Sequence, residues 1–391
     1  MFSTDSGLAA IVDCVDPISQ PLQRSARDAT LETEVLPYQN LITKKEVRKA
    51  YKGWTQALVD ISQTYKNEGF DAAEDLAAAV IDAAYAYQIG AVAFKPTWAY
   101  GDTTFRTDRE GAISYFVGGN DDYKDPGFAI GNVEDTVTGD RSPWADAWFD
   151  RSVMRLDGNT ATVQGLLYTE DEDGNVSYVD KTWGFLKDDS GAVRIVLHHS
   201  SSPYDTIEEP KKIKNELDKD QDFDPKNLIT EEEVLDLQQA WTEALVEISQ
   251  TYKKEGFKAA EELAGNVIDA AYGYVNGPVA FKPTWAYGDT TFRTDREGAL
   301  SYFVGGNDDY KDLGFAIGNL PNKKGKRSAW ADAYTENAVI RLDGDTATSM
   351  GWMYSEDEKG RVSKVDKTWT FQKGDDGVLR IVVHHSSTPY G

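Results

Sequence analysis

At 391 residues the chain is long enough for two or three domains, each with ample surface to bury. Its formal charge of -25 argues against nucleic acid as a partner, and its one cysteine, Cys14, excludes an intramolecular disulfide. No apolar run approaches membrane-spanning length; the best, LAAAVIDAAYAY, carries Asp82 in its middle and suits a buried helix.

In chain order, residues 1–39 read as an N-terminal extension of mixed composition with no clear period. The opening MFSTDSGLAAIVDC lacks a basic start and an unbroken apolar core, so no intact secretory signal is visible, and a targeting peptide already removed is compatible with it. A repeat follows. The run AFKPTWAYGDTTFRTDREGA occurs letter for letter from residue 93 and again from residue 280. It sets two units, 40–205 and 227–391, joined by a charged, proline-punctuated linker at 206–226. The basic clusters Lys211, Lys212, Lys214 and Lys323, Lys324, Lys326, Arg327 read as linker or loop.

Each unit opens on a helix signal, Thr43-x-x-Glu46 and Thr230-x-x-Glu233, in which hydroxyl and carboxylate cap each other's backbone amides. Val47, Tyr51, Trp54, Leu58, Ile61 and Tyr65 then recur at steps of four and three, one apolar helical stripe. An alanine-rich helix is expected at about 71–87, followed by strands: GAISYFVG, SVMRL, TATVQGLLYT, VSYVDKTWGFL and AVRIVLHHSS. Asp157-Gly158-Asn159 and Asp173-Gly174 mark hairpin turns between successive strands. Helices first and an antiparallel meander afterwards make an α+β layout: two tandem cones, each a curled sheet wrapped around a helix and enclosing a pocket.

All four histidines lie in the two strand-end runs IVLHHSSSPY (195–204) and IVVHHSSTPY (381–390). Strict alternation puts Val193, Ile195, Leu197, His199 and Ser201 on one face, so His199 and Ser201 are expected to point into the cone, and His385 and Ser387 likewise. His198 and His384 then face outward. In GAISYFVG the face Ile113, Tyr115, Val117 is the bulkier, which turns Tyr115 inward, and Tyr302 with it. Thr97 and Thr284 follow Lys-Pro in the identical run. Together these groups could hold a water or small oxyanion without a metal; the alternative is a satisfied core network at the strand ends. Two adjacent histidines on opposite faces do not make a three-ligand zinc site. The acidic turn Asp171-Glu172-Asp173-Gly174-Asn175 reads as a hairpin rather than a calcium loop. Arg106 and Arg293 could bring positive charge near the pocket; a surface ion pair is the alternative.

Paired helices, a curled sheet and a terminal HHSSSP or HHSSTP resemble the iota-class carbonic anhydrases, which are similar to the calmodulin-dependent kinase association domain and to SnoaL-like cones. The resemblance covers each whole unit and extends to tandem copies in algal members. It implies reversible hydration of carbon dioxide to bicarbonate at one site per unit. The site residues it implies are Thr97, Tyr115, His199 and Ser201, and Thr284, Tyr302, His385 and Ser387, with Thr103, Thr104 and Tyr123 as close alternatives for the threonine and tyrosine. Imidazole is the expected proton acceptor. The family has been described both as manganese-preferring and as metal-free, and two histidines per unit favour no cofactor. Expected partners are carbon dioxide and bicarbonate, with no nucleic acid and no membrane; the units could pair as an intramolecular pseudo-dimer, or chains could dimerise. Algal relatives point to a plastid, with mitochondrion or cytoplasm as alternatives. Two rival readings are a non-catalytic association module and a SnoaL-like cyclase or dehydratase with a roomier, apolar-walled pocket.

Overall fold

The computed structural model describes residues 41–133, 141–204, 228–286, 288–320 and 326–390, with the backbone of 220–221. The expectations for residues 1–39, Cys14, most of the linker and five of the basic residues, Lys211, Lys212, Lys214, Lys323 and Lys324, lie outside them.

Helix α1 (Lys44–Glu68) starts where the capping box places it: Thr43 accepts from the Glu46 amide at 3.3 Å and Glu46 accepts from the Thr43 amide at 2.9 Å. Its stripe is buried, with Trp54 and Ile61 at the centre of the first core. Helix α2 (Phe70–Ala84) follows directly across Gly69, whose φ of 93° turns the chain. A short strand β1 (Ala93–Lys95) leads to α3 (Arg109–Val117). The meander is β2 (Trp144–Asp157), β3 (Thr160–Asp171), β4 (Val176–Lys187) and β5 (Val193–Ser201). The second unit repeats this with α4 (Glu231–Glu255), α5 (Phe257–Ala271), β6 (Ala280–Lys282), α6 (Arg296–Val304), β7 (Trp330–Asp343), β8 (Thr346–Asp357), β9 (Val362–Lys373) and β10 (Leu379–Ser387). The sheet orders are β1-β5-β4-β3-β2, with 220–221 added beside β2, and β7-β8-β9-β10-β6. Each unit is therefore an α+β cone, its first helix lying in the concave face of an antiparallel sheet.

Three local expectations are settled by the backbone. The segment GAISYFVG is a helix, not a strand. Asp108 caps it, accepting from the Gly111 amide at 2.8 Å, and residues Gly111–Val117 are all buried, so no polar face was left to show a helical period. Tyr115 and Tyr302 nonetheless lie inside their cones. The acidic turn is a hairpin: Asp171 accepts from the amides of Asp173 at 3.1 Å and Asn175 at 2.9 Å.

The third concerns the histidine faces, and here strict alternation fails. Phe185 pairs with Ile195 but Gly184 pairs with Leu197, so Val196 is an extra residue, a β-bulge. Phe371 and Thr370 bracket Val382 in the same way opposite Ile381 and Val383. The bulge inverts the pattern beyond it. Ile195 packs in the cone core, whereas Leu197 packs with Ala93 and the second unit's Met350. His199, Ser201, His385 and Ser387 consequently point out of their cones and against the other unit, while His198, Ser200, His384 and Ser386 point in.

The two outward faces meet. The rings of His199 and His385 stack with centroids 3.6 Å apart and planes 5° off parallel. His199 bonds Thr368 through Nδ1 at 2.8 Å, and His385 bonds Thr182 through Nδ1 at 2.8 Å. Lys95 pairs with Asp366 at 3.5 Å and Lys282 with Asp180 at 3.1 Å, each lysine reaching a carboxylate of the opposite unit. Burial pushes the His199 imidazole down to about 4, so its Nε2–H donates to Asp366 at 3.0 Å as a neutral group.

Candidate active site

Three hydroxyls converge inside each cone. Thr97 follows β1, which runs parallel to β5 with Lys95 opposite His199, and this register carries the Thr97 hydroxyl to 2.6 Å from that of Ser200. Tyr115, from the last turn of α3, brings its phenol beside the Thr97 hydroxyl and the Thr97 and Trp98 amides. In the second unit Thr284 and Ser386 are 2.7 Å apart, with Tyr302 bonded to Thr284. All six side chains are buried. Burial raises both phenols above their ordinary value, so they are donors here, not bases.

His198 shares the inward face of β5 with Ser200, two residues on and so about 6.6 Å along the strand. Its ring stacks on Phe94 at 4.3 Å, and Phe94 meets Tyr115 edge-on at 5.7 Å. Both nitrogens are engaged. Nδ1 lies 2.7 Å from the Tyr85 hydroxyl, and that hydroxyl already accepts from the donor-only indole N–H of Trp54 at 2.9 Å. Tyr85 therefore donates to Nδ1, and the His198 proton sits on Nε2, 2.7 Å from the amine of Lys181. The second unit repeats the chain as Trp241, Tyr272, His384 and Lys367, at 3.1, 2.7 and 2.8 Å. Burial holds both imidazoles well below their usual range. It also lowers both amines, Lys181 well below its usual range and Lys367 to about 7.

Among the sequence-predicted residues, then, the structure gathers Thr97 with Tyr115 and Thr284 with Tyr302. It leaves His199, Ser201, His385 and Ser387 on the inter-unit face. Thr103 is partly buried and Thr104 turns back to its own loop, bonding the Gly101 carbonyl at 2.8 Å. Beside the gathered pairs stand residues the sequence reading did not single out, Ser200, Ser386 and the lysines, and the histidines it expected to face outward, His198 and His384. A signal for the lysines was present: VDKTW stands in both units, a lysine in the middle of an apolar strand.

A cavity of about 160 Å³ opens on Tyr302, lined also by Trp285, Arg293, Tyr310 and, from the first unit, Tyr204. Sites for larger organic ligands run to about 300–1,000 Å³, so this one suits a few small molecules. A wider open groove of about 640 Å³ lies between α1, α2 and the start of β5 and reaches Trp54 and Ile195, away from the hydroxyls. Among the described residues, no three histidine, cysteine or carboxylate side chains come together as a metal-binding set.

The sequence profile of the metal-independent carbonic anhydrases matches the chain twice, at residues 45–202 and 232–388. The chain belongs to the metal-independent carbonic anhydrases. It is 51% identical over 163 residues to the metal-independent carbonic anhydrase of Nostoc sp., covering 41% of this chain and 75% of that protein. Among solved structures it is similar to the bicarbonate-complexed iota-carbonic anhydrase of a cyanobacterium, 48% identical, over 44% of this chain and 99% of that one, with a TM-score of 0.39. It is also similar to an association domain of the calcium/calmodulin-dependent protein kinase II type from Xanthomonas campestris, 22% identical over 40% and 85% of the two chains, with a TM-score of 0.24. As a metal-independent carbonic anhydrase, the chain catalyses hydration of carbon dioxide and requires no metal cofactor.

Proposed function

We propose that the reaction runs at two equivalent sites per chain, Thr97, Tyr115 and Ser200 in the first unit and Thr284, Tyr302 and Ser386 in the second. The observation that carries this reading is the pair of threonine–serine contacts at 2.6 and 2.7 Å, each backed by a buried tyrosine donor. Hydroxyls donate and accept, so the trio holds a water with its lone pair toward the carbon of carbon dioxide. As the new O–C bond forms, one C=O pair moves onto oxygen, and the same donors meet that growing negative charge. The proton of the attacking water passes to the His198–Lys181 or His384–Lys367 pair. The Lys367 amine, lowered by burial to about 7, is matched to that task, whereas the His384 imidazole alone is held too low. The association module needs none of this inward polar cluster.

The test is stopped-flow hydration of carbon dioxide by chelator-treated chain: hydration that persists after chelation is expected, and its loss, restored by manganese or zinc, would sink the metal-free mechanism. We also read the stacked, charge-paired faces as an intramolecular pseudo-dimer, and the tandem arrangement as that of a plastid enzyme, which a fluorescent fusion would locate.

A further inference from the structure

The run that closes each unit ends in Ser-Pro-Tyr or Thr-Pro-Tyr, and the mechanism above uses neither tyrosine. Tyr204 does not stay with its own unit. The strand before it is already seated on the other unit, with the Ser201 hydroxyl 3.0 Å from His385 Nε2. Pro203 has a fixed φ and no N–H to give, so the tail leaves β5 without extending the sheet. Three residues beyond Ser201, Tyr204 stands on the wall of the cavity that opens on Tyr302 of the second unit. It is 43% exposed. Part of the ring therefore meets the cavity and the rest meets water, a position that an amphipathic ring with only two side-chain torsions fills as a stiff wall. With this ring in place the cavity measures about 160 Å³, below the roughly 300 Å³ at which sites for organic ligands begin.

The second unit supplies the rest of the wall, including Arg293, ion-paired to Asp312 at 2.8 Å, and the exposed Lys311. An exposed amine attracts any carboxylate regardless of size, so charge alone does not discriminate among anions. We propose that Tyr204 of the first unit is a specificity-determining residue of the second unit's site. Its ring closes the cavity in front of Tyr302, so that carbon dioxide, water and bicarbonate fit and organic carboxylates do not. The second site is then incomplete without the first unit beside it.

This inference rests on the reading of Tyr302 as part of a working site, and hydration by a Ser200→Ala chain tests that reading by itself. The filter is read by binding instead, in the full chain, with benzoate and acetate as probes followed by isothermal titration. Tyr204→Ala leaves a ring-sized gap on the wall shared with Lys311, so benzoate is expected to tighten about tenfold or more at one site per chain. Tyr204→Phe keeps the wall and should hold benzoate within about twofold of the unaltered chain. Acetate, small enough for the closed cavity, should change by less than about threefold in both variants. Loss of a merely structural contact would not give a gain confined to the larger anion. Should the alanine chain not fold, Tyr204→Val, which retracts the wall by less, decides with a smaller gain of the same sign. Benzoate affinity unchanged in the folded small-residue variant, an equal gain for acetate, or an equal gain in Tyr204→Phe overturns the proposal.

Discussion

Ser200 and Ser201 are joined by one peptide bond and face different worlds. The first touches Thr97 inside the cone; the second lies 3.0 Å from His385 of the other unit. Replacing Ser200 and Ser386 together by alanine removes one donor from each trio and is expected to lower kcat/KM for hydration about 100-fold, the usual effect of losing a transition-state donor. Replacing Ser201 and Ser387 should change kcat/KM by less than about threefold and register in stability instead. If the second pair proves the more damaging, the inward assignment falls. The acceptor can be read by pH. In a chain carrying Ser200→Ala, hydration comes from the second unit, whose Lys367 is lowered by burial to about 7. Only the neutral amine accepts a proton, so kcat/KM should rise with pH through about 7, and fall as pH drops below it. A profile already flat there would remove Lys367 from the proton path.

Much of each unit was legible in the sequence because its signals are local. The capping boxes placed both first helices, the Trp54 stripe placed the buried face, and Gly158 and Gly174, with φ of 64° and 80°, stand in the two turns named for them. Thr97 and Tyr115 were singled out and do lie together inside the cone, although Tyr115 came from the wrong secondary structure: a helix buried on every side carries no amphipathic period. What could not be read was the bulge at Val196. One extra β-branched residue in a run of β-branched residues leaves no compositional mark, yet it exchanges the faces of everything after it. The parallel pairing of β1 with β5 was equally hidden, since it depends on a contact across about a hundred residues. That pairing brings Thr97 to Ser200.

At the scale of the whole molecule, the faces that alternation mistook for pocket walls form the seam between units. Two lysines, two aspartates and two histidines are buried there, a neutral set only because each lysine finds a carboxylate of the opposite unit. The seam also touches the sites: Lys95 donates to the Ser200 carbonyl at 3.1 Å and Lys282 to that of Ser386 at 3.3 Å. Asp366 is the most heavily used member, accepting from the Ser387 hydroxyl at 2.5 Å and amide at 3.2 Å, from His199 and from Lys95, and these contacts hold its carboxyl below the usual range against the pull of burial. Asp366→Ala would leave the buried Lys95 amine without its carboxylate partner. Breaking a buried pair from one side costs about 3–5 kcal/mol, so the denaturant midpoint should fall sharply, while alanine at the half-exposed Asp376 should leave it almost unmoved. Because Lys95 also holds the Ser200 backbone, hydration by the first site should drop in the same variant, before unfolding begins. A midpoint no lower than that of the Asp376 variant would mean that the seam is wet in solution and that the units do not pair through it.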